Sequence, residues 1–304
     1  MIAISGASGF IGSQLMSQIS DAIPIYRGNE ASSLNAIFVN KIDGNTDWSG
    51  KLKNINAIIH LAGVAHSKKL SFTEFEDVNF HGTLNLARSS YHAGVKRFVY
   101  VSTIGVLGAN SLSAPFATES KTSPHDDYSF VKLKTETELI KFSKETGLEL
   151  VIIRPPLVYG AGAPGNFGAL TQLIAKVPLL PFGLVKNKRD FISVLNLAHL
   201  LSLCATHPKA AGNIFLASDS ETVSIKEFTN AMAKGLGKKV YQLPIPLWLM
   251  RIAGKLLGKS AMIEQLVGNL QVDSSDLRKV LGWTPPYTMG ESMALLKEQD
   301  KERN

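Results

Sequence analysis

The sequence predicts an α/β chain: a doubly wound parallel sheet covered by helices on both faces, with a smaller, mainly helical part attached. Three observations carry this. Short β-branched runs alternate with helical stretches through the first half of the chain, as βαβ units require. Most of those runs lack polar alternation, as strands buried on both faces do. A glycine-rich turn joins the first run directly to the first helix.

Predicted strands cover residues 2–5, 23–27, 36–39, 57–62, 97–102 and 148–154, and predicted helices cover 10–20, 72–92 and 128–146. Gly94 and Gly147 stand where two of these helices stop, since glycine accepts the left-handed backbone of a helix end. After Arg154 the pattern changes. Pro155, Pro156, Gly160, Gly162, Pro164 and Gly165 mark a loop-rich stretch, and residues 213–218 read as one further strand. Ser224 and Glu227 form a capping box that starts a helix. The remainder is mostly helical, with a stop at Gly282 and a break at Pro285-Pro286.

Composition removes several classes. The 304 residues are 45% hydrophobic and 19% charged, which excludes a disordered chain. The single cysteine, Cys204, excludes an intramolecular disulfide framework and a cysteine-rich zinc site, and it fits a reducing, cytoplasmic setting. Met1 runs straight into an apolar tetrapeptide without a basic n-region, so no signal peptide is expected. No apolar run reaches the ~18 residues of a membrane span. The histidines show no metal-ligand spacing, so no metal is expected. The net charge of +7 leaves nucleic acid, an anionic membrane or a small anionic ligand as partners.

Gly6-Ala7-Ser8-Gly9-Phe10-Ile11-Gly12 has the spacing G-x-x-G-x-x-G between the first strand and the first helix. Glycine permits the tight turn and lets the backbone approach a pyrophosphate, while the helix N-terminus offers free N–H groups to the anion. Ser8, Phe10 and Ile11 fall within this binding turn. The reading is a Rossmann-type, NAD(P)-binding domain over 1–153, to which 190–218 returns, and a discontinuous substrate-binding domain over 154–304. The second strand ends Ile25-Tyr26-Arg27, and the next acid, Glu30, lies beyond Gly28. A carboxylate at this strand end would hold a ribose 2′-hydroxyl; a guanidinium pairs with a 2′-phosphate. Arg27 therefore favours NADP(H), with NAD(H) as the alternative, because an arginine can also stack on adenine.

Tyr128-Ser129-Phe130-Val131-Lys132 is a Y-x-x-x-K pair, and residues four apart share a helix face. Free tyrosine ionises near pH ~10. A neighbouring ammonium favours the phenolate, so Lys132 is expected to lower the Tyr128 pKa and make it a proton-transfer group. Ser102 and Thr103, at the end of the strand over 97–102, offer hydroxyls to a substrate oxygen.

With these motifs the chain resembles the extended short-chain dehydrogenase/reductases of the nucleotide-sugar epimerase/dehydratase kind. The resemblance rests on the glycine turn, His60-Leu61-Ala62-Gly63, Val78-Asn79-Phe80-His81-Gly82-Thr83 and Phe98-Val99-Tyr100-Val101-Ser102-Thr103. It continues through Tyr128 with Lys132, Arg154-Pro155-Pro156-Leu157-Val158-Tyr159-Gly160 and Arg189-Asp190-Phe191-Ile192. It implies Tyr128 as general acid/base, Lys132 on the nicotinamide ribose and Thr103 as the catalytic hydroxyl, with Ser102 beside it. It implies Arg189 on a sugar-nucleotide diphosphate and Asp43 near the adenine. Leu61, Ala62, Gly63 and Asn79 fall where the chain passes the cofactor. Asn166 is carried over as a contact to the substrate phosphate or uracil, although this chain has Leu157 where some members have an Asn. The resemblance also implies a UDP-sugar substrate and a homodimer through the helices over 72–92 and 128–146.

Absences narrow the reaction. Family dehydratases carry an Asp-Glu pair after the catalytic threonine; here Ile104 and Gly105 follow Thr103 and cannot do acid/base work. The epimerase-reductases need a Cys and His pair, whereas Cys204 reads as a core residue. A 4-ketoreductase and a 4-epimerase remain. Arg27 favours an NADPH-dependent 4-ketoreductase. Gly105-Val106-Leu107-Gly108, Pro164-Gly165-Asn166-Phe167 and Asn187-Lys188-Arg189 look similar to bacterial UDP-4-keto-6-deoxy-HexNAc reductases of surface-polysaccharide precursor synthesis. An NAD-dependent UDP-sugar 4-epimerase is the alternative, and a non-catalytic dinucleotide sensor the second alternative. Nucleic acid is not expected, because Lys and Arg are spread along the chain. Residues 243–259, with Arg251, Lys255 and Lys259 at helical spacing, read as a substrate-domain helix with a solvated face. A weak peripheral membrane contact is the alternative there.

Overall fold

The computed structural model describes residues 1–28, 35–64 and 71–297; Glu30 lies outside them. The chain opens with β1 (Ile2–Ser5), α1 (Phe10–Gln18), β2 (Ala22–Arg27), β3 (Ile37–Val39) and β4 (Ala57–His60). A helical run follows, from α2 (Phe72–Glu76) through a π-helical turn (Asp77–Gly82) into α3 (Thr83–His92). Next come β5 (Arg97–Val101), a short 3-10 turn (Ile104–Val106), α4 (Asp127–Thr146), β6 (Glu149–Arg154), β7 (Val158–Tyr159), α5 (Gly165–Lys176) and β8 (Leu179–Leu180). The chain continues through β9 (Ile192–Ser193), α6 (Val194–Thr206), β10 (Ile214–Leu216), α7 (Ile225–Gly235) and β11 (Tyr241–Gln242). It ends with α8 (Leu247–Leu256), α9 (Ser260–Val267), α10 (Ser275–Leu281) and α11 (Met289–Ala294).

The main sheet has the order β10-β6-β5-β4-β1-β2-β3, and its strand pairs are parallel. The order reverses between β1 and β4, and ligands of such sheets bind in the crevice at the carboxyl ends beside that switch. One hydrophobic cluster packs α6 on the sheet, joining Leu197, Leu201 and Cys204 to Ile4, Leu15 and Val99. A second lies on the opposite face, where Leu84, Val131 and Leu139 meet Ile58, Phe98 and Leu150. Continuous apolar strands such as β5, buried along its whole length, are what a two-sided covering demands. A third cluster, with Tyr159, Phe167, Phe228 and Met293, holds the smaller helical region together.

The helix expected over 72–92 is three segments. The π-helical turn brings Asn79 and Phe80 inward, and Gly82 lets the backbone come against Asp43, where a Cβ would stand 2.9 Å from the Asp43 Cα. Other local expectations hold closely. Gly147 and Gly282 cap α4 and α10 in the left-handed conformation, and Ser224 and Glu227 form the capping box of α7. No helix among the described residues is long and apolar enough to cross a membrane.

Candidate active site

The glycine turn is built by close approach. Gly6 has φ +75°, and a Cβ there would stand 2.8 Å from the Ala62 nitrogen. A Cβ on Gly12 would fall on the Gly6 carbonyl oxygen. Gly9 is the N-cap of α1, with no side-chain cap and no acidic residue in the first turn. Ser8 and Gly9 are exposed. The first N–H groups of α1 thus face the crevice, and the positive end of the helix suits a pyrophosphate. Phe10 and Ile11, half-buried, begin that helix.

Asn79 is buried and spends its side chain on the neighbouring loop. Its Oδ1 accepts from the Val64 N–H (2.9 Å), and its Nδ2 donates to the carbonyls of Val64 and Phe75 (both 3.1 Å). It clamps the Leu61-Ala62-Gly63 segment at the end of β4 against the glycine turn. Behind that segment His60 is fully buried between the hydroxyls of Ser5 (2.6 Å) and Thr83 (2.8 Å). Burial and the Lys132 charge push its pKa down to about 3, so it is a neutral structural group. Asp43, between β3 and β4, is buried. Burial works to raise its carboxyl, but the Lys41 ion pair and hydrogen bonds from Asn45 and Thr46 outweigh this and hold it low. Arg27 ends β2 with an exposed side chain.

A cavity of about 240 Å³ opens at the carboxyl ends of the central strands. Ile11, Leu61, Gly63, Ser102, Thr103, Tyr128 and Lys132 line it, with Pro155, Pro156 and Val158 on the far side. Three of these groups have telling environments. The Ser102 Oγ is buried and has no hydrogen-bond partner among the described residues. A buried hydroxyl without a partner is costly, so a ligand oxygen is the natural recipient of its hydrogen bond. The Thr103 Oγ1 accepts from the Gly105 N–H at 3.1 Å, which fixes its rotamer and leaves its O–H to donate. The Lys132 Nζ donates to the Val101 carbonyl at 2.9 Å and lies 4.6 Å from the Tyr100 ring centre and 5.7 Å from that of Tyr128.

The electrostatics correct one expectation. Burial, with the Asp126 carboxylate adding to it, raises the Tyr128 pKa to about 12 rather than lowering it. Burial also lowers Lys132 to about 8, with Glu136 opposing the shift. The physical reason is that protein atoms crowd both groups and the ammonium is anchored on a backbone carbonyl, so desolvation by burial dominates both.

Below the pair, Glu136 takes the next turn of the same face of α4. Its carboxylate receives a bidentate grip from Arg154 at 3.1 and 2.5 Å, and both side chains are buried. This ion pair ties α4 to β6 immediately before Pro155 and Pro156. Sequence reasoning missed Glu136; its only local signal is the i, i+4 spacing after Lys132.

Arg189 and Asn166 do not line this cavity. Asn166 is exposed in the first turn of α5. Arg189 is half-buried where three segments meet, and its Nη1 donates to the carbonyls of Gln265 (2.5 Å) and Gly268 (3.0 Å). Burial lowers its pKa to about 10, so it stays a cation at neutral pH. Cys204 is a core residue whose thiol burial pushes up to about 12. No group of three or more His, Cys, Asp or Glu among the described residues could hold a metal.

The sheet, its glycine turn and this cavity define the class: a nicotinamide-dinucleotide enzyme of the extended short-chain dehydrogenase/reductase group. A model of the NAD dependent epimerase/dehydratase family matches residues 2–217, and the chain belongs to that family. It is 39% identical over 302 residues to a UDP-glucose 4-epimerase of Vibrio cholerae, covering 95% of this chain and 92% of the relative. Among solved structures it resembles UDP-glucuronic acid 4-epimerase from Bacillus cereus in complex with NAD, with TM-score 0.77 and 20% identity over 99% of both chains. It also resembles RMD from Pseudomonas aeruginosa complexed with NADPH, with TM-score 0.76 and 19% identity over 100% of this chain and 99% of the other.

Proposed function

We propose that the protein is a nicotinamide-dependent UDP-sugar 4-epimerase. The observation that carries the chemistry is the cavity in which Tyr128 and Lys132 face the unpartnered Ser102 hydroxyl. The 39% identity to a UDP-glucose 4-epimerase supports the substrate class and puts epimerisation ahead of the NADPH-dependent ketoreductase expected from Arg27. The residues present fit a dinucleotide: two glycines stand where a Cβ would collide, and the α1 N-terminus is uncapped.

Gly6, Ser8, Gly9 and Gly12 would hold the pyrophosphate, and Leu61-Ala62-Gly63, clamped by Asn79, would flank the dinucleotide. Arg27 and Asp43 would face its adenosine end, and Lys132 its nicotinamide ribose. When bound, the nicotinamide supplies reversible hydride exchange at the sugar C4. Acting as a phenolate, which Lys132 and the positive charge of a bound oxidised nicotinamide would favour over the phenol of the free protein, the Tyr128 oxygen takes the proton of the C4 hydroxyl and later returns it, general acid–base work of the kind that contributes about 10²–10⁴-fold. Lys132, 5.7 Å from the phenol ring, stabilises the phenolate while the proton is away. Ser102 and Thr103 donate to the C4 oxygen and hold it in place. Arg189, partly exposed and cationic, would anchor the diphosphate from the helical region, with Asn166 beside the nucleotide. In this reading residues 154–304, apart from 190–218, form the substrate-binding part. A homodimer would pair α3 and α4, on which Tyr91 and Phe130 are exposed.

The test is direct. Mass spectrometry of the denatured protein should find a dinucleotide, and NMR should show UDP-glucose and UDP-galactose interconverting without net nicotinamide turnover. Tyr128→Phe should lose about 10²–10⁴-fold in turnover while still binding the dinucleotide. Wild-type-like turnover in that variant would remove Tyr128 from the chemistry. Stoichiometric NADPH consumption with a UDP-4-keto sugar and no epimerisation would instead favour the ketoreductase. The exposed Arg27 at the end of β2, suited to a 2′-phosphate, favours that second reading.

A further inference from the structure

We propose that α8 seats the protein on an anionic lipid bilayer. The helix hides little of its apolar surface. Met250 and the Gly254 position face inward, where Gly254 lies against Ile263 of α9. Trp248, Ile252 and Leu256, at successive i, i+4 positions, form a stripe on the opposite side and are 62%, 49% and 81% exposed. Leu257, 71% exposed, extends the stripe past the helix end. Arg251 and Lys255 lie three and seven positions beyond Trp248, so they run alongside that stripe, and Lys259 follows. The β8–β11 ribbon leads into this helix and carries two more exposed apolar residues, Leu179 and Tyr241, paired across it.

Charge selects the partner. Between Glu227 and Glu264 the chain carries Lys234, Lys238, Lys239, Arg251, Lys255 and Lys259, and no acidic residue. All six are exposed. Of these, only Arg251 has an ion-pair partner among the described residues, Glu264 at 2.7 Å. This segment therefore holds much of the molecule's +7. An apolar stripe with an exposed tryptophan and a lysine and arginine border is the pattern of a helix lying in the headgroup region. The tryptophan sits at the interface, and the cations meet anionic lipid. A protein partner fits less well, because lysine is depleted at protein interfaces. The outward face of α8 is thus apolar as well as cationic, with Trp248 and Leu256 among its most exposed side chains. The proposal is independent of which sugar the enzyme handles.

Vesicle flotation with the full chain tests it, using phosphatidylcholine and phosphatidylglycerol in equal parts against phosphatidylcholine alone. The protein should float with the anionic vesicles and not with the neutral ones, and added salt should weaken binding. Trp48 and Trp283 are buried, so Trp248 should dominate a blue shift of the fluorescence on binding. Trp248→Glu with Leu256→Glu should abolish flotation and the shift while turnover of a soluble UDP-sugar stays unchanged. Lys255→Gln and Lys259→Gln should each weaken binding about fivefold. Absence of flotation on anionic vesicles at low salt, or unchanged flotation of the double glutamate variant, would overturn the proposal. So would a change of oligomeric state in that variant by light scattering, which would make the face a contact between copies of the chain.

Discussion

Two buried carboxylates anchor the two halves of the molecule, and they are satisfied in opposite ways. Glu136, on α4 below Tyr128 and Lys132, meets a cation: Arg154 of β6 grips it bidentately. Asp219, just after β10, meets only neutral donors. It accepts the Tyr159 hydroxyl at 2.7 Å, the Ser193 N–H at 3.1 Å and the Asn196 side chain at 2.7 Å. Asn196 also donates to the Tyr287 carbonyl, so this network binds the sheet side to the helical region. Burial, with the Glu221 charge adding to it, raises Asp219 to about 6 in spite of those bonds. The difference teaches that the floor of the candidate active site is fixed by compensated charge, whereas the joint to the helical region depends on a group that titrates in a mild pH range.

The largest effect should come from breaking the charged anchor. Arg154→Met leaves Glu136 buried without its cation and should cost on the order of 3–5 kcal/mol, read as a fall in denaturation midpoint. Combining it with Glu136→Gln should recover most of that loss, since no uncompensated charge remains; a double variant as unstable as the single one would show that packing, not charge, is at stake.

Next in size is the pH dependence of the neutral anchor. The folded pKa of Asp219, about 6, lies above the ~3.9 of an unfolded aspartate. Between those values the folded state keeps a proton that the unfolded chain has released. Stability is therefore full below about pH 4, falls as the pH rises to about 6 and then levels off, by on the order of 3 kcal/mol. Asp219→Asn should flatten this slope in thermal melts between about pH 4 and about pH 7. An unchanged slope would assign it to other groups.

Two smaller effects sharpen the contrast at the site itself. Ser102→Ala removes a hydroxyl that no described residue uses, so the fold should be unharmed while turnover falls about tenfold. Arg27→Ala should weaken NADP(H) binding about fivefold and leave NAD(H) nearly unaffected. Equal losses for both would remove the 2′-phosphate role.

Much of this was legible in the chain because it is local. The glycine turn is demanded within a few residues by backbone contact, and the Tyr128–Lys132 pair follows from helix pitch. The strands of the sheet announce themselves as unbroken apolar runs. What was not legible lies between distant segments. Arg154 is near Glu136 only because β6 runs beside α4. The π-helical turn that aims Asn79 answers to a loop at Asp43, far away in sequence. The expected lowering of Tyr128 failed for the same reason: spacing shows that a lysine is near, but not how far the surrounding protein desolvates the phenol.

By itself, then, the sequence determined the class of fold, the glycine turn and the shared helix face of Tyr128 and Lys132, all set by short-range sterics and periodicity. Only the tertiary structure decided how each charge is compensated, which hydroxyl lining the cavity is left unpartnered and which face of α8 looks outward. Burial and dielectric are properties of everything packed around a group, and no local stretch of chain contains them.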